Sequence, residues 1–103
     1  MEIIHATEQN FNHLISSDVV LVDFFATWCG PCHMLSPVLE ELANERSNVK
    51  IIKVDVDECA TLAREYGIMS VPTLLLFKNG THIGTKNGFI PKEVLNRWIE
   101  ENR

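Results

Sequence analysis

Ala26-Thr27-Trp28-Cys29-Gly30-Pro31-Cys32-His33 places two cysteines three positions apart where an apolar run gives way to a helical pattern. With Cys29 at or just before a helix start and Cys32 in its first turn, the i, i+3 relation puts both sulfurs on one face. They are then close enough to close a small disulfide ring, and the spacing reads as a redox pair. Pro31 suits the first turn, where a missing N–H costs nothing, and Gly30 admits another backbone close to the Cys29 sulfur. The free N–H groups and partial positive charge of a helix start favour a thiolate at Cys29, the expected nucleophile.

Upstream, Val19 to Ala26 is apolar at nearly every position and rich in β-branched and aromatic residues, as in a central strand covered on both faces. Asp23 is the one exception. A carboxyl there should be desolvated, which raises its pKa and suits it to exchange a proton with Cys32, directly or through a water. The alternative is a buried aspartate held by a partner for structure alone. Downstream, Leu35, Val38, Leu39 and Leu42 repeat at helical spacing, so a helix should run through Pro37, with a kink there, to about Asn44. Val49 to Val56 reads as a second buried strand, giving a βαβ unit with the cysteines at the carboxyl end of its first strand, where open α/β sheets place their sites.

Farther out, Ile3 and Ile4 suggest a short first strand, and Thr7 should cap a helix presenting Phe11, Leu14 and Ile15. Asp57 should cap another helix with Leu62, Ala63 and Tyr66 inward, ended by a left-handed Gly67. Thr73 to Lys78 and Thr81 to Lys86 form a hairpin turned by Asn79-Gly80. Pro91 opens a last helix with Val94, Leu95, Trp98 and Ile99 along one stripe, Trp98 being read as core.

The 103 residues, 46% of them hydrophobic, suit one domain with one core. With 9 basic against 14 acidic residues and a net charge of -5, and no basic cluster, nucleic acid is not an expected ligand. No apolar run reaches the roughly 18 residues of a membrane span and the amino terminus lacks signal-peptide features, so the expected compartment is the cytosol. Three cysteines with one close pair do not make a disulfide framework. Zinc wants four ligands, and Cys59 with His5, His13, His33 or His82 supplies no second close pair. Cys29-Gly30-Pro31-Cys32-His33 also matches the c-type haem attachment pattern literally, but the hairpin and the lack of an export signal oppose that reading. Cys59 itself is either an inert thiol or one activated by a nearby helix start.

Val22 to Cys32, Val71-Pro72-Thr73-Leu74-Leu75-Leu76-Phe77, Asn79-Gly80 and Gly88 stand in register with the thioredoxin family, and the order strand, helix, strand, helix, strand, helix, hairpin, helix is that family's order. The chain resembles the family over essentially its whole length, and Gly30-Pro31 separates it from disulfide isomerases and periplasmic oxidants, which carry other dipeptides. The resemblance implies an α/β thioredoxin fold over residues 1–103, a central mixed sheet of about five strands flanked by about four helices. It implies a protein-disulfide reductase in which Cys29 attacks, a mixed disulfide forms and Cys32 resolves it. No cofactor is bound, and thioredoxin reductase returns the electrons. The partners implied are that reductase and disulfide-containing proteins, with the chain a cytoplasmic monomer serving cell redox balance.

Residue by residue, the resemblance gives Asp23 the family's buried carboxylate and Lys53 the lysine that approaches it. Pro72 would be cis beside the cysteines, leaving the Val71 backbone free to pair with an extended substrate. Trp28, Gly30, Pro31, Met69 and Gly88 would complete the substrate surface. His33, Phe25 and Asn87 depart from the family's usual Lys or Arg, Trp and apolar residue, which bears on partner preference and potential. A reading of another class is a non-catalytic subunit that holds a partner on the reduced surface. Cys29→Ser and Cys32→Ser separate the two, since they abolish turnover but spare a binding role.

Overall fold

The computed structural model describes residues 2–103. In chain order its elements are β1 (Ile3–His5), α1 (Phe11–Leu14), β2 (Val19–Phe25), α2 (Gly30–Glu45), β3 (Lys50–Asp55), α3 (Ala60–Glu65), β4 (Thr73–Lys78), β5 (Thr81–Asn87) and α4 (Lys92–Glu101). The strands form one five-stranded sheet in the order β1-β3-β2-β4-β5. β2 is central because it is apolar on both sides: it pairs in parallel with β3, setting Asp23 against Lys53, and antiparallel with β4, setting Asp23 against Leu74.

Each face of the sheet carries its own apolar layer. Val19, Leu21, Ile51, Leu74 and Leu76 pack with Leu35, Leu39 and Leu42 of α2 and with Leu95 and Ile99 of α4. Val20, Val22, Phe24, Ile52, Leu75 and Phe77 pack with Phe11 of α1 and Leu62 of α3. Alternation along β2 therefore sends Asp23 into the α2 side, where its carboxyl is fully buried.

The Asn79-Gly80 turn has φ of 52° and 84°, the paired left-handed geometry of a two-residue hairpin. Register slips between Leu76 and Phe77, which pair with Gly84 and His82. Gly67 is left-handed at φ 64°, as expected of a helix stop. α2 continues through Pro37, whose ring nitrogen has no hydrogen to give the His33 carbonyl.

Several expected details differ. α1 is a single turn from Phe11, not a helix capped at Thr7. Thr7 and Asn10 instead bond reciprocally, Thr7 N–H to Asn10 Oδ1 at 2.7 Å and Asn10 N–H to Thr7 Oγ1 at 3.2 Å, closing the turn that precedes it. Asp57 does not cap α3: Asp55 Oδ1 accepts from the Asp57 N–H at 2.8 Å, and Cys59 occupies the N-cap without a side-chain capping bond. Pro91 is the N-cap of α4, one position before the helix proper. Trp98 is only partly buried, flanking its layer beneath Gly84.

Candidate redox site

The chain leaves β2 at Phe25 and enters α2 at Gly30, so the cysteines sit at the carboxyl end of the central strand. Cys29 is the N-cap of α2, extended at φ -96° and ψ 116°, and its Sγ accepts the Cys32 N–H at 3.2 Å. The sulfur thus occupies the place of a capping oxygen, where a helix-start N–H stabilises negative charge. Cys29 and Cys32 form a disulfide with Cα atoms 5.3 Å apart. Both are buried, 5% and 3% exposed, and the Cys29 Sγ lies 3.6 Å from the Val71 carbonyl oxygen. Gly30 and Pro31 are exposed between them.

Val71-Pro72 is cis, as the sequence resemblance implied. Val71 packs on Ala26, Cys29 and Cys32, and Gly88 N–H donates to the Pro72 carbonyl at 2.8 Å, fastening β5 behind the loop. The Thr73 hydroxyl donates to the Ser70 carbonyl at 2.7 Å and lies 3.0 Å from the Asn87 side-chain amide, a second tie to β5. An apolar cleft of about 370 Å³ opens beside the cysteines, lined by Trp28, Val56, Ile68, Met69, Ser70 and Val71. Trp28 is 71% and Met69 97% exposed. Two large apolar side chains held in water at the rim of a cleft suit a protein ligand. Gly88 stands behind this cleft rather than in its wall.

Sequence reasoning missed the partner of Trp28. Its Nε1 donates to Asp57 Oδ2 at 3.0 Å, so the residue expected to cap α3 orients the indole instead. It also missed Val56, Ile68 and Ser70 in the cleft. Their flanking positions, one at a strand end and two between a left-handed glycine and a cis proline, were the available signal. His33 is exposed on α2, with Nε2 2.7 Å from the Thr27 carbonyl oxygen, which assigns the proton to that nitrogen and ties the helix to the loop before Trp28.

On the α2 side of β2, Asp23 is 0% exposed and neither carboxyl oxygen has a hydrogen-bond partner. Desolvation pushes its pKa up to about 7, against the lowering influence of Lys53. Lys53 Nζ stands 4.0 Å from Asp23 Oδ2 and donates to Ser36 Oγ at 2.9 Å. The arrangement agrees with the desolvated carboxyl expected from sequence and differs from one anchored by direct hydrogen bonds. Cys59 does not become an activated thiol. It is 3% exposed, and burial followed by the nearby Glu8, Glu58 and Asp55 charges raises its pKa. Among the described residues, no group of three or more His, Cys, Asp or Glu is placed to hold a metal ion, and no helix is long and apolar enough to cross a membrane.

The sequence model of the thioredoxin family matches residues 2–101. A thioredoxin of Bacillus subtilis is 50% identical over 103 residues, covering 99% of each chain, and one of Staphylococcus saprophyticus is 48% identical with the same coverage. Among solved structures, a single-site mutant of a thioredoxin from Halobacterium salinarum superposes with a TM-score of 0.92 at 41% identity, over 98% of this chain and 90% of that one. With a capped cysteine pair at the end of the central strand and full-length relatives of one kind, the chain belongs to the thioredoxin family and is a thiol–disulfide oxidoreductase.

Proposed function

We propose that in this protein-disulfide reductase Cys29 is the attacking thiol, Cys32 the resolving thiol and Asp23 the base that takes the Cys32 proton. The observation that carries the assignment is the Cys32 N–H bond to Cys29 Sγ at the N-cap of α2, because it favours the thiolate on Cys29 alone. Cys29 thiolate attacks one sulfur of a substrate disulfide. A bond forms between Cys29 and that sulfur, and the other substrate sulfur leaves as a thiolate and takes a proton. Cys32 then gives its proton to Asp23 and attacks Cys29. The mixed disulfide breaks, the second substrate sulfur leaves as a thiolate, and that thiolate is protonated in turn. Two electrons pass from the dithiol to the substrate, and the chain is left with the Cys29–Cys32 disulfide.

Lys53, beside Asp23, sets how readily the carboxyl holds that proton. Substrate lies in the cleft between Trp28, Met69 and Val71, pairing with the Val71 backbone next to Pro72, while exposed Gly30 and Pro31 leave the Cys29 sulfur open to approach. Gly88 supports Pro72 from behind. Thioredoxin reductase as electron donor, a cytosolic setting, and action as a monomer and single domain complete the reading. No bound cofactor enters an exchange that moves electrons between sulfurs.

The test is insulin-type disulfide reduction driven by NADPH and a thioredoxin reductase, together with trapping. Cys32→Ser should retain substrates as stable mixed disulfides, because the attacking thiolate remains and the resolving one is gone, whereas Cys29→Ser should trap none. Equal trapping by both variants, read by mass spectrometry of captured proteins, would overturn the assignment.

A further inference from the structure

The Ser36 hydroxyl stands between the catalytic helix and the lysine beside the buried carboxyl. Ser36 lies one turn after Cys32 on α2 and donates its hydrogen back to the Cys32 carbonyl at 3.3 Å. With the hydrogen committed there, the oxygen lone pairs face Lys53, whose ammonium donates to Oγ at 2.9 Å. The same ammonium remains 4.0 Å from Asp23 Oδ2, beyond hydrogen-bond distance, and Asp23 has no other donor. The serine therefore satisfies a cation that would otherwise turn to the fully buried carboxyl beside it.

We propose that Ser36 is a positioning residue for the resolving step: its hydroxyl, anchored on the Cys32 carbonyl, holds the Lys53 ammonium off the Asp23 carboxylate and so leaves that carboxylate free to accept a proton. The proposal rests on the reading of Asp23 as the proton acceptor for Cys32, and adds to it a residue that sets the acceptor's strength.

The competing destinations for Lys53 can be ranked. On its outer side an open cleft of about 640 Å³ is lined by Glu2 and His5 from the β1 end and Glu40 from α2, besides Ser36 and Lys53. From β4 the neighbour of Asp23 is the apolar Leu74, and the α2 residues packed on that face of the sheet, Leu35, Leu39 and Leu42, are apolar too. Glu2 and Glu40 are exposed, where an ion pair gains little against water and salt. Asp23 is dry and lacks a donor, so an ammonium released from Ser36 gains most by closing on it as a charge-assisted hydrogen bond. Such a bond stabilises the ionised carboxyl and weakens it as a base.

The experiment titrates the Asp23 carboxyl carbon by carbon-13 NMR in oxidised wild type, Ser36→Ala and Ser36→Thr, alongside the pH profile of mixed-disulfide resolution in single turnover with the reduced forms. Ser36→Ala should lower the Asp23 midpoint by about one pH unit, a tenfold change in proton affinity, and carry the acid limb of the rate profile down with it. Ser36→Thr, which keeps the hydroxyl, should hold the wild-type midpoint. An unchanged or raised midpoint in Ser36→Ala would overturn the proposal, the raised one meaning that Lys53 had swung out toward Glu2 or Glu40. The same lowering in Ser36→Thr would overturn it too. Asp23→Asn separates the two readings: if it leaves the rate profile untouched, Asp23 is not the base, while the NMR midpoints still decide whether Ser36 governs the carboxyl.

Discussion

At position 23 a carboxyl occupies a site that every other β2 residue fills with carbon, and its titration sets a definite sign on stability. In the unfolded chain Asp23 ionises near about 3.9, whereas in the folded chain burial moves this to about 7. Below about pH 4 both states are protonated and nothing is lost. Between there and about pH 7 the unfolded state sheds its proton first, so stability falls as pH rises, and above that range the penalty is constant. The full loss is at most about 4 kcal/mol. Asp23→Asn removes this titration while Lys53 keeps its bond to Ser36. The variant should therefore unfold at higher denaturant than wild type at pH 8, by roughly 2–4 kcal/mol, with the gap closing toward pH 4. Urea unfolding of the oxidised proteins across that range checks it. A variant less stable at every pH would show instead that Lys53 needs the carboxylate as a structural partner.

At the scale of elements, β5 and α4 meet at one tight contact. A Cβ added at Gly84 would lie 2.9 Å from Cζ2 and 3.3 Å from Nε1 of Trp98, with Lys86 already seated over the indole at 5.0 Å. Gly84→Ala must push the ring aside and should destabilise the fold by about 1–3 kcal/mol. Adding Trp98→Phe to Gly84→Ala should restore part of that loss relative to the sum of the single changes, measured by chemical denaturation as a double-mutant cycle. This contact was not legible in the sequence, where Gly84 is one residue in an ordinary hairpin arm and Trp98 one member of a stripe. What the sequence does carry is periodic or local. The unbroken apolar run of β2, the i, i+3, i+4 repeat of α2 and the Asn79-Gly80 turn each encode their geometry within a few residues. Thr7 and Asp57 were misplaced for the complementary reason. An aspartate or threonine before an apolar repeat has several backbone or side-chain partners to choose from: Thr7 takes Asn10, three residues on, and Asp57 takes an indole 29 residues away that tertiary packing brings near. The cysteine pair and Asp23 were readable because each violates or punctuates a pattern. Ser36 violates none, so its place beside Lys53 emerges only when α2 is laid on the sheet.

For the molecule as a whole, the sheet divides the large apolar core into two layers. The leucines of α2 and the Asp23 carboxyl belong to one, and Phe11, Phe24, Tyr66 and Phe77 form an aromatic cluster in the other, with ring centroids 5.5 to 6.3 Å apart; Ala26, Cys29 and Cys32 make a third, small cluster that shares Val56 with the aromatic side. Phe11 is fully buried although its helix is a single turn, so the ring, rather than the helix, is what fixes that part of the chain. Phe11→Ala should cost about 3–5 kcal/mol in denaturant unfolding. Reductase turnover per folded molecule should hardly change, because the cavity opens on the side of the sheet away from α2. A proportional loss of turnover at temperatures where the variant is fully folded would show the two layers to be coupled.

The buried carboxyl has a second life before the fold exists. Val19 to Ala26 is a β-prone window with no proline, and Asp23 is its only charge. While the chain is extended that group is ionised at neutral pH, and the window must wait for β3 and β4, both made later, before its two edges are paired. A single negative charge in such a segment opposes strand-to-strand association between newly made chains. The substitution that strengthens the native state should thus make its formation riskier. On dilution from denaturant at neutral pH, Asp23→Asn should give more light scattering and a lower soluble yield than wild type as protein concentration rises, so that one aspartate destabilises the finished molecule and guards the unfinished one.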